Sequence, residues 1–497
     1  MLSRGVAKSQ LAKLVDVALA FVITILLTRW LGPDGFGSYT LILGWISLGG
    51  LIISLGFAET LSKYVPVLTV DSIRISRFFI PLLLIRVGLA VLVAIVVKLL
   101  ASTFLKWFNY SELLPYTDYI ILLFLLTVTN DLFWSLFIAQ LKIEVVFVSR
   151  ILQQGAIITA VLWLARHGTS SVQSVLIVTG IAYALGTAIY VLAYLYTRSG
   201  RHLKREDVPL GNALKFGLSV WVTSGFTFLL AEQSDVLLIG LIVQEASAVA
   251  YYKVGTALVW KLIGVITVGT QVVLATLSTL YKRNGYAGLS HGWRTFVKLS
   301  TLSVVPVYLL LGWYAPQIIE LLYGPESLPS ALILRLFVVL TVIPFGLLGG
   351  GLNLIALYAL GRERQGILIR VTSGLANLIL DVILIRAYGA VGAVIATGMA
   401  AILGISLEFL LLRRFAPQQY PWMFSLKTIS AVAVGSLFLI AFPAQTWLEM
   451  LASGLTYAIV VALVLIWRKP LTMEDCEMVG RISPRLAGVA AWFSVAA

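Results

Sequence analysis

FFIPLLLIRVGLAVLVAIVVKLL (78–100) carries two charged residues, Arg86 and Lys98, and is otherwise apolar from end to end. A helix needs about 20 such residues to cross a hydrocarbon core. The run does not alternate: AVLVAIVV (90–97), like FVITILL (21–27), would put apolar side chains on both faces of a strand. A transmembrane barrel, which is polar on its inner face, is therefore excluded. Backbone groups in lipid must be satisfied within their own segment, and the α-helix does this.

Outward from 78–100, similar runs fall near 9–31, 38–58, 117–140, 145–165, 172–196, 212–243, 247–277, 295–315, 331–356, 366–387, 390–412, 428–443 and 448–467. At about 35 residues per helix and connection, the chain accommodates roughly fourteen spans. Composition agrees, with 60% hydrophobic and 12% charged residues over 497 positions and a mean hydropathy of +0.98. Soluble domains carry about twice that share of charge. No soluble domain fits into the remainder.

The net charge of +14 would suggest nucleic acid in a soluble protein. Here the basic residues alternate between loops. Arg4/Lys8, Lys63/Arg74/Arg77, Lys142/Arg150, Arg198/Arg201/Lys204/Arg205, Lys282/Arg283/Arg294, Arg362/Arg364, Arg413/Arg414/Lys427 and Arg468/Lys469 fall on one side. The loops between them are short and poor in Lys and Arg, with Lys106 and Arg166 as exceptions. The positive-inside rule then predicts an even number of spans with both termini in the cytoplasm. Nucleic acid is not an expected partner. The N-terminal run follows Arg4, Lys8 and Lys13 like a signal peptide, but it ends in Thr28-Arg29-Trp30, a poor cleavage site. It is read as an uncleaved first helix. A single cysteine, Cys476, leaves no intramolecular disulfide, and His167, His202 and His291 lie in separate loops without metal-ligand spacing. No cofactor is expected.

The connector TRSGRHLKREDVPL (197–210) follows six helices, and a second set of six and two extra helices come after it. The expected domains are an N-terminal lobe (1–200), a second lobe (201–415), two further spans (416–470) and a cytoplasmic tail (471–497). RWLGPDGFGSY after helix 1 corresponds in position to LIVQEASAVAYY after helix 7. Paired halves with a site between them are a common transporter plan.

Three stretches carry a family resemblance. TRWLGPDGFGSYTLILGWISLGGLIISLGFAETLSKYVP (28–66) has an Arg-x-Leu-Gly turn, a Phe-Gly-x-Tyr helix start and a Leu-Gly-Phe end. SDVLLIGLIVQEASAVAYYKVG (234–255) looks like the opening of a second lobe. LLYGPESLPSALILRLF (321–337) and ALGRERQGILIRVTSGLANLILDVILIRAYGAVGAVIATGMA (359–400) add an LYG turn, a Gly-Arg loop and an Asn-x-x-x-Asp helix. Together they resemble the polysaccharide-transporter (Wzx-type) branch of the MOP flippase superfamily, with Gln244-Glu245 standing where a Gly-Pro pair would be expected. The resemblance implies two six-helix lobes around a central cavity, with helices 13 and 14 outside. It implies alternating access for a polyprenyl-pyrophosphate-linked glycan in the bacterial cytoplasmic membrane. It would also place a glycan polymerase and a chain-length regulator of the same pathway among the partners, besides membrane lipid.

A pyrophosphate headgroup calls for Arg or Lys in a dewatered space. The expected substrate-binding cations are Arg86 and Lys261, deep in their spans, with Lys253, Arg29 and Arg335 nearer the rim. The bland alternative for each is a side chain snorkelling to the interface. Buried carboxylates could take a proton or Na⁺, or pair statically with these cations. The candidates are Asp235 and Glu232, three residues apart on helix 7 with Ser224 on the same face, then Asp131 beside Asn130, Asp16, and Asp381 with Asn377. Glu59 precedes Lys63 by four and reads as a local pair. Arg370, Ser373, Asn377 and Asp381 form a stripe on helix 11 that lines a cavity or glues helices. Pro344 with Gly349, Gly350 and Gly351 marks a hinge or a tight packing point in helix 10. Trp107, Tyr110, Trp163, Trp313, Tyr314 and Trp447 near span ends read as an interfacial belt.

A multidrug exporter of the same superfamily would favour an acidic cavity for cationic cargo, whereas the buried Arg and Lys point to an anion. A membrane glycosyltransferase or polymerase wants a long outer loop bearing carboxylates, and none is long enough; the chain is not expected to be an enzyme. An envelope scaffold would have no use for intramembrane charges.

Overall fold

The computed structural model describes residues 2–70, 75–107, 111–168, 170–198, 210–267, 270–416, 419–444, 446–482, 488 and 491–494, and statements of number or absence below concern these residues. The basic connector centred on 199–209, where the lobe boundary is expected, lies outside them. The fold is all-helical. In chain order the helices are α1 (Leu2–Ile52), α2 (Phe57–Val70), α3 (Ser76–Trp107), α4 (Thr117–Ala139), α5 (Ile143–Arg166), α6 (Val172–Arg198), α7 (Leu210–Phe228), α8 (Glu232–Val243), α9 (Ala246–Thr267) and α10 (Thr270–Trp313). There follow α11 (Ala315–Tyr323), α12 (Ser330–Phe337), α13 (Ile343–Leu347), α14 (Leu352–Ala359), α15 (Glu363–Tyr388), α16 (Ala390–Phe415), α17 (Trp422–Ala441), α18 (Trp447–Arg468) and α19 (Met473–Ile482). Eleven helices are long and apolar enough to cross a membrane, or twelve if the bent pair α7 and α8 is one span. The sequence count of roughly fourteen is larger in part because α1 and α10 each merge two helices across a non-helical glycine.

The α1 break shows why the sequence folds this way locally. Gly32 has φ 68° and ψ 177°, a region that only glycine occupies without strain. Pro33 follows with φ preset for a new helix. In the other positional counterpart, after α8, Gln244 takes a left-handed φ of 60°. A close approach adds a second constraint: a Cβ on Gly37 would lie 1.7 Å from the Ala246 carbonyl oxygen.

The chain divides into two compact units. One holds Met1–Val265, Leu322–Ser327 and Asp381–Ala390; the other holds Ile266–Leu321, Leu328–Leu380 and Val391–Ala497. In the first, α3 shows how a span sorts its faces. Phe78, Phe79, Leu82, Arg86, Ala90 and Ala94 recur about every four residues and are buried, while Leu84, Leu92, Ile95 and Leu99 are exposed. An outward apolar face is the normal arrangement in lipid. The inner face joins a core with Phe57, Leu132, Phe137 and Tyr190, where Phe79 and Phe133 meet edge to face at 5.2 Å.

In the second unit, α10 is the central strut. Its inner face packs Trp293 and Val297 against Ala356, Leu357 and Leu412. Further along, α17 and α18 pack Val432, Leu439 and Tyr457 with Val305, and the Tyr457 hydroxyl donates to the Pro306 carbonyl at 3.1 Å. Tyr314 is buried and bonded to Ser453, so it leaves the expected belt, whereas Trp163 and Trp447 are exposed. The tail forms α19, which docks on α10: Asp475 accepts from Lys298 at 2.6 Å and from Thr295 at 2.8 Å.

Candidate functional site

The candidate residues of the first unit form a run of ionisable groups of alternating sign. Arg86 on α3 is buried, and its Nε has no hydrogen-bond partner. The charge that acts on it most is Asp131 of α4, with Glu59 second. Asp131 in turn lies in the field of Arg86 and of Arg150 on α5. Arg150 is also influenced by Tyr183 and Asp16. Asp16 on α1 accepts a 2.8 Å hydrogen bond from Gln154 Nε2 and reaches Lys261 electrostatically. Lys261 on α9 is influenced by Glu232 as well, and Glu232 is ion-paired with Lys253. Four cations thus alternate with three carboxylates. Arg86, Lys261, Asp16 and Asp131 form no ion pair within 4 Å among the described residues; only Lys253 and Glu232 close one.

Beside this run is a carboxyl pair. Asp235 on α8 and Asp381 on α15 are both buried and hydrogen-bonded to one another. Two carboxyl oxygens hydrogen-bond only when one carries a proton, whose place between them a bound cation can take. The Tyr252 hydroxyl also donates to Asp235, and Thr256 donates to Glu232 at 2.6 Å. The sequence expectation that Glu232, Asp235 and Ser224 share a face of one helix needs correction. The chain bends by 58° between α7 and α8, so Ser224 and Asp235 belong to separate helices. Glu232 and Asp235 instead occupy the first turn of α8, where the helix N-terminus favours negative charge.

Two of the rim cations are occupied by helix ends. Arg29 is exposed, and its Nε donates to the Leu322 carbonyl near the end of α11 at 2.8 Å. Arg335, also exposed, donates to the Gly312 and Trp313 carbonyls at 3.1 and 3.2 Å. A cation on the last carbonyls of a helix satisfies orphan acceptors and complements the dipole. Asn377, one turn before Asp381, is fully buried, as is Ser373, so that stripe faces protein rather than lipid.

Pro344, Gly349, Gly350 and Gly351 lie at a true break in the second unit. A π-turn (Val338–Val342) runs into α13, and Gly349 and Gly351 have φ 70° and 72° before α14 starts. Side chains from neighbouring elements satisfy the freed backbone. Thr301 donates to the Gly346 carbonyl at 3.1 Å and Tyr420 to the Leu347 carbonyl. Asn353 Nδ2 donates to the Leu348 carbonyl at 3.1 Å while its Oδ1 accepts from Trp293 at 2.9 Å. Glu408 accepts from the Gly351 N–H.

Residues 26–331 match the model of a family described as polysaccharide biosynthesis protein. The chain belongs to that family. In fold it is similar to the lipid II flippase MurJ in an inward closed conformation, at TM-score 0.72 and 14% identity over 92% of this chain and 97% of that one. It is also similar to an inward-facing multidrug resistance MATE family transporter of the MOP superfamily, at 0.64 and 13% over 82% and 97%. A MOP superfamily transporter from Pyrococcus furiosus aligns at 0.56 and 13% over 82% and 95%. No curated protein matches by sequence. The chain therefore has the fold shared by these flippase and transporter structures.

For this polysaccharide biosynthesis protein, sequence reading placed Arg150 in a basic loop with Lys142. It lies instead within α5, half-buried, between Asp16 and Asp131. Gln153 and Gln154, three and four residues on, share its side of the helix and are the signal that could have found it. Tyr183, hydrogen-bonded to Arg150, was likewise missed.

Proposed function

We propose that the protein is a flippase that carries a polyprenyl-pyrophosphate-linked oligosaccharide from the cytoplasmic to the outer leaflet by alternating access, for surface polysaccharide biosynthesis. Family membership and the flippase fold support movement of a lipid-linked cargo. The observation that carries the chemistry is the alternating run, in which Arg86 and Lys261 form no ion pair within 4 Å among the described residues. An anionic headgroup entering there exchanges its water for guanidinium and ammonium donors. Asp131 and Asp16 keep the empty site from holding bare cations in low dielectric. The exporter alternative would favour an acidic cavity for cationic cargo and gives no use to the buried Arg86 and Lys261.

The Asp235–Asp381 pair is proposed as the coupling site. It gives up its shared proton, or exchanges it for Na⁺, when the surrounding helices move. The bacterial cytoplasmic membrane, fourteen spans in two lobes with both termini inside, and a hinge at Gly349–Gly351 complete the reading. Replacing Arg86 and Lys261 together by Ala is expected to abolish glycan export while the variant is produced and folded at wild-type levels. Full export by the double variant would overturn the headgroup assignment.

A further inference from the structure

The second unit contains a polar cavity of about 340 Å³ that the transport reading does not use. Three stretches that the sequence places in separate basic loops converge on it: His291, Arg294 and Lys298 from α10, Lys427 from α17, and the segment leading into α19. The acidic wall is already committed. Asp475 accepts from Lys298, Thr295 and both the N–H and hydroxyl of Thr472, the last two at 2.9 Å. Glu474 is largely exposed and faces His291 at 3.6 Å. Two cations remain. Lys427 Nζ has only a long 3.4 Å contact with the Lys469 carbonyl, and the Arg294 Nε is buried with no partner.

A guanidinium and an ammonium that line a cavity and form no ion pair among the described residues suit an oxyanion with several acceptor oxygens. The cavity lies at the ends of spans, on the side that carries the basic loops, and Met423 and Phe424 line it beside the polar groups. Basic pockets between spans on the cytoplasmic side are suited to phosphorylated headgroups. We infer that this cavity is a binding site for a phosphate group, carried by an anionic phospholipid headgroup or by a free phosphate ester. The wall includes Tyr420, whose hydroxyl donates to the Leu347 carbonyl at the break before Gly349. A ligand here rests against one of the side chains that hold the break.

The test uses the full-length protein in nanodiscs. Thermal midpoint and retained lipid, read by native mass spectrometry, are compared in phosphatidylcholine alone, with phosphatidylglycerol added, and with inorganic phosphate added. Wild type is expected to retain phosphatidylglycerol and to melt higher with it. The double variant Arg294→Gln/Lys427→Gln should bind at least tenfold more weakly, while matching wild type in phosphatidylcholine alone. Lys282→Gln/Arg283→Gln, outside the cavity, controls for total charge and should behave as wild type. Stabilisation by phosphate without lipid, lost in the same variant, assigns the site to free phosphate esters. Equal binding by the cavity variant and wild type, or equal loss in the charge control, overturns the inference.

Discussion

Gly32 and Gln244 occupy positionally matched turns and adopt positive φ, yet only one is glycine. A side chain at Gly32 meets a region closed to it, so Gly32→Ala is expected to lower stability by about 1–3 kcal/mol, measured as the shift in thermal midpoint of purified protein. Gln244→Gly should have the opposite sign, a gain of up to about 1 kcal/mol, because the left-handed strain is relieved; a loss on that substitution would show that Gln244 makes a contact worth more than the strain. At this scale the sequence was informative wherever charge interrupts an apolar run. Arg86, Asp131, Asp16 and Lys261 stand out because burying a charge in a span is costly. Arg335 and Arg29 read from the sequence as rim cations of the same set. Their use as caps depends on which helix end lies nearby, a three-dimensional fact that no local pattern encodes.

Span breaks and the docked tail decide behaviour at the scale of elements. The break around Gly349 is held by Thr301, Tyr420, Asn353 and Glu408. Asn353→Ala removes two of these bonds and leaves the Trp293 N–H buried and unpaired, at a cost of about 1–3 kcal/mol. Transport should slow more than stability loss alone explains, judged by export per folded molecule; an export rate that follows folded protein only would make the break a packing feature. Pro344 and the glycines announced a break in the sequence, but not the side chains that satisfy it, which come from as far as Trp293 and Glu408. The tail behaves differently. Burial raises the Asp475 carboxyl, but the bonds from Lys298, Thr472 and Thr295 outweigh this and hold it below its ordinary 3.8. A depressed folded value contributes stability above the unfolded value and loses it as pH falls through the folded one. Limited proteolysis should therefore leave α19 intact at neutral pH and release it only as pH falls below the ordinary carboxylate value of 3.8 and through the lower folded one. Asp475→Asn should be released at neutral pH, and equal protection of that variant would contradict the docking account. In sequence, MEDCEM followed by an apolar end gave no sign of where α19 would dock.

For the whole molecule, hydropathy and loop charge were enough to establish an all-helical membrane protein, because lipid allows few other solutions. The motifs at 28–66 and 359–400 extended this to the family, which the match over residues 26–331 shows. Span number was harder to obtain, since helices joined at Gly32 and Gly285 and a pair bent by 58° blur what one span is. Arg86 and Lys261, placed in the first unit without an ion pair among the described residues, support an anionic, lipid-linked cargo. The most direct test is the lipid extract of cells that lack the protein, analysed by mass spectrometry. The account predicts accumulated polyprenyl-pyrophosphate glycan together with loss of a surface polysaccharide, both reversed by the wild-type gene and not by the Arg86→Ala/Lys261→Ala variant. Unchanged lipid-linked glycans and unchanged surface polysaccharide would contradict it and turn attention to small-molecule export.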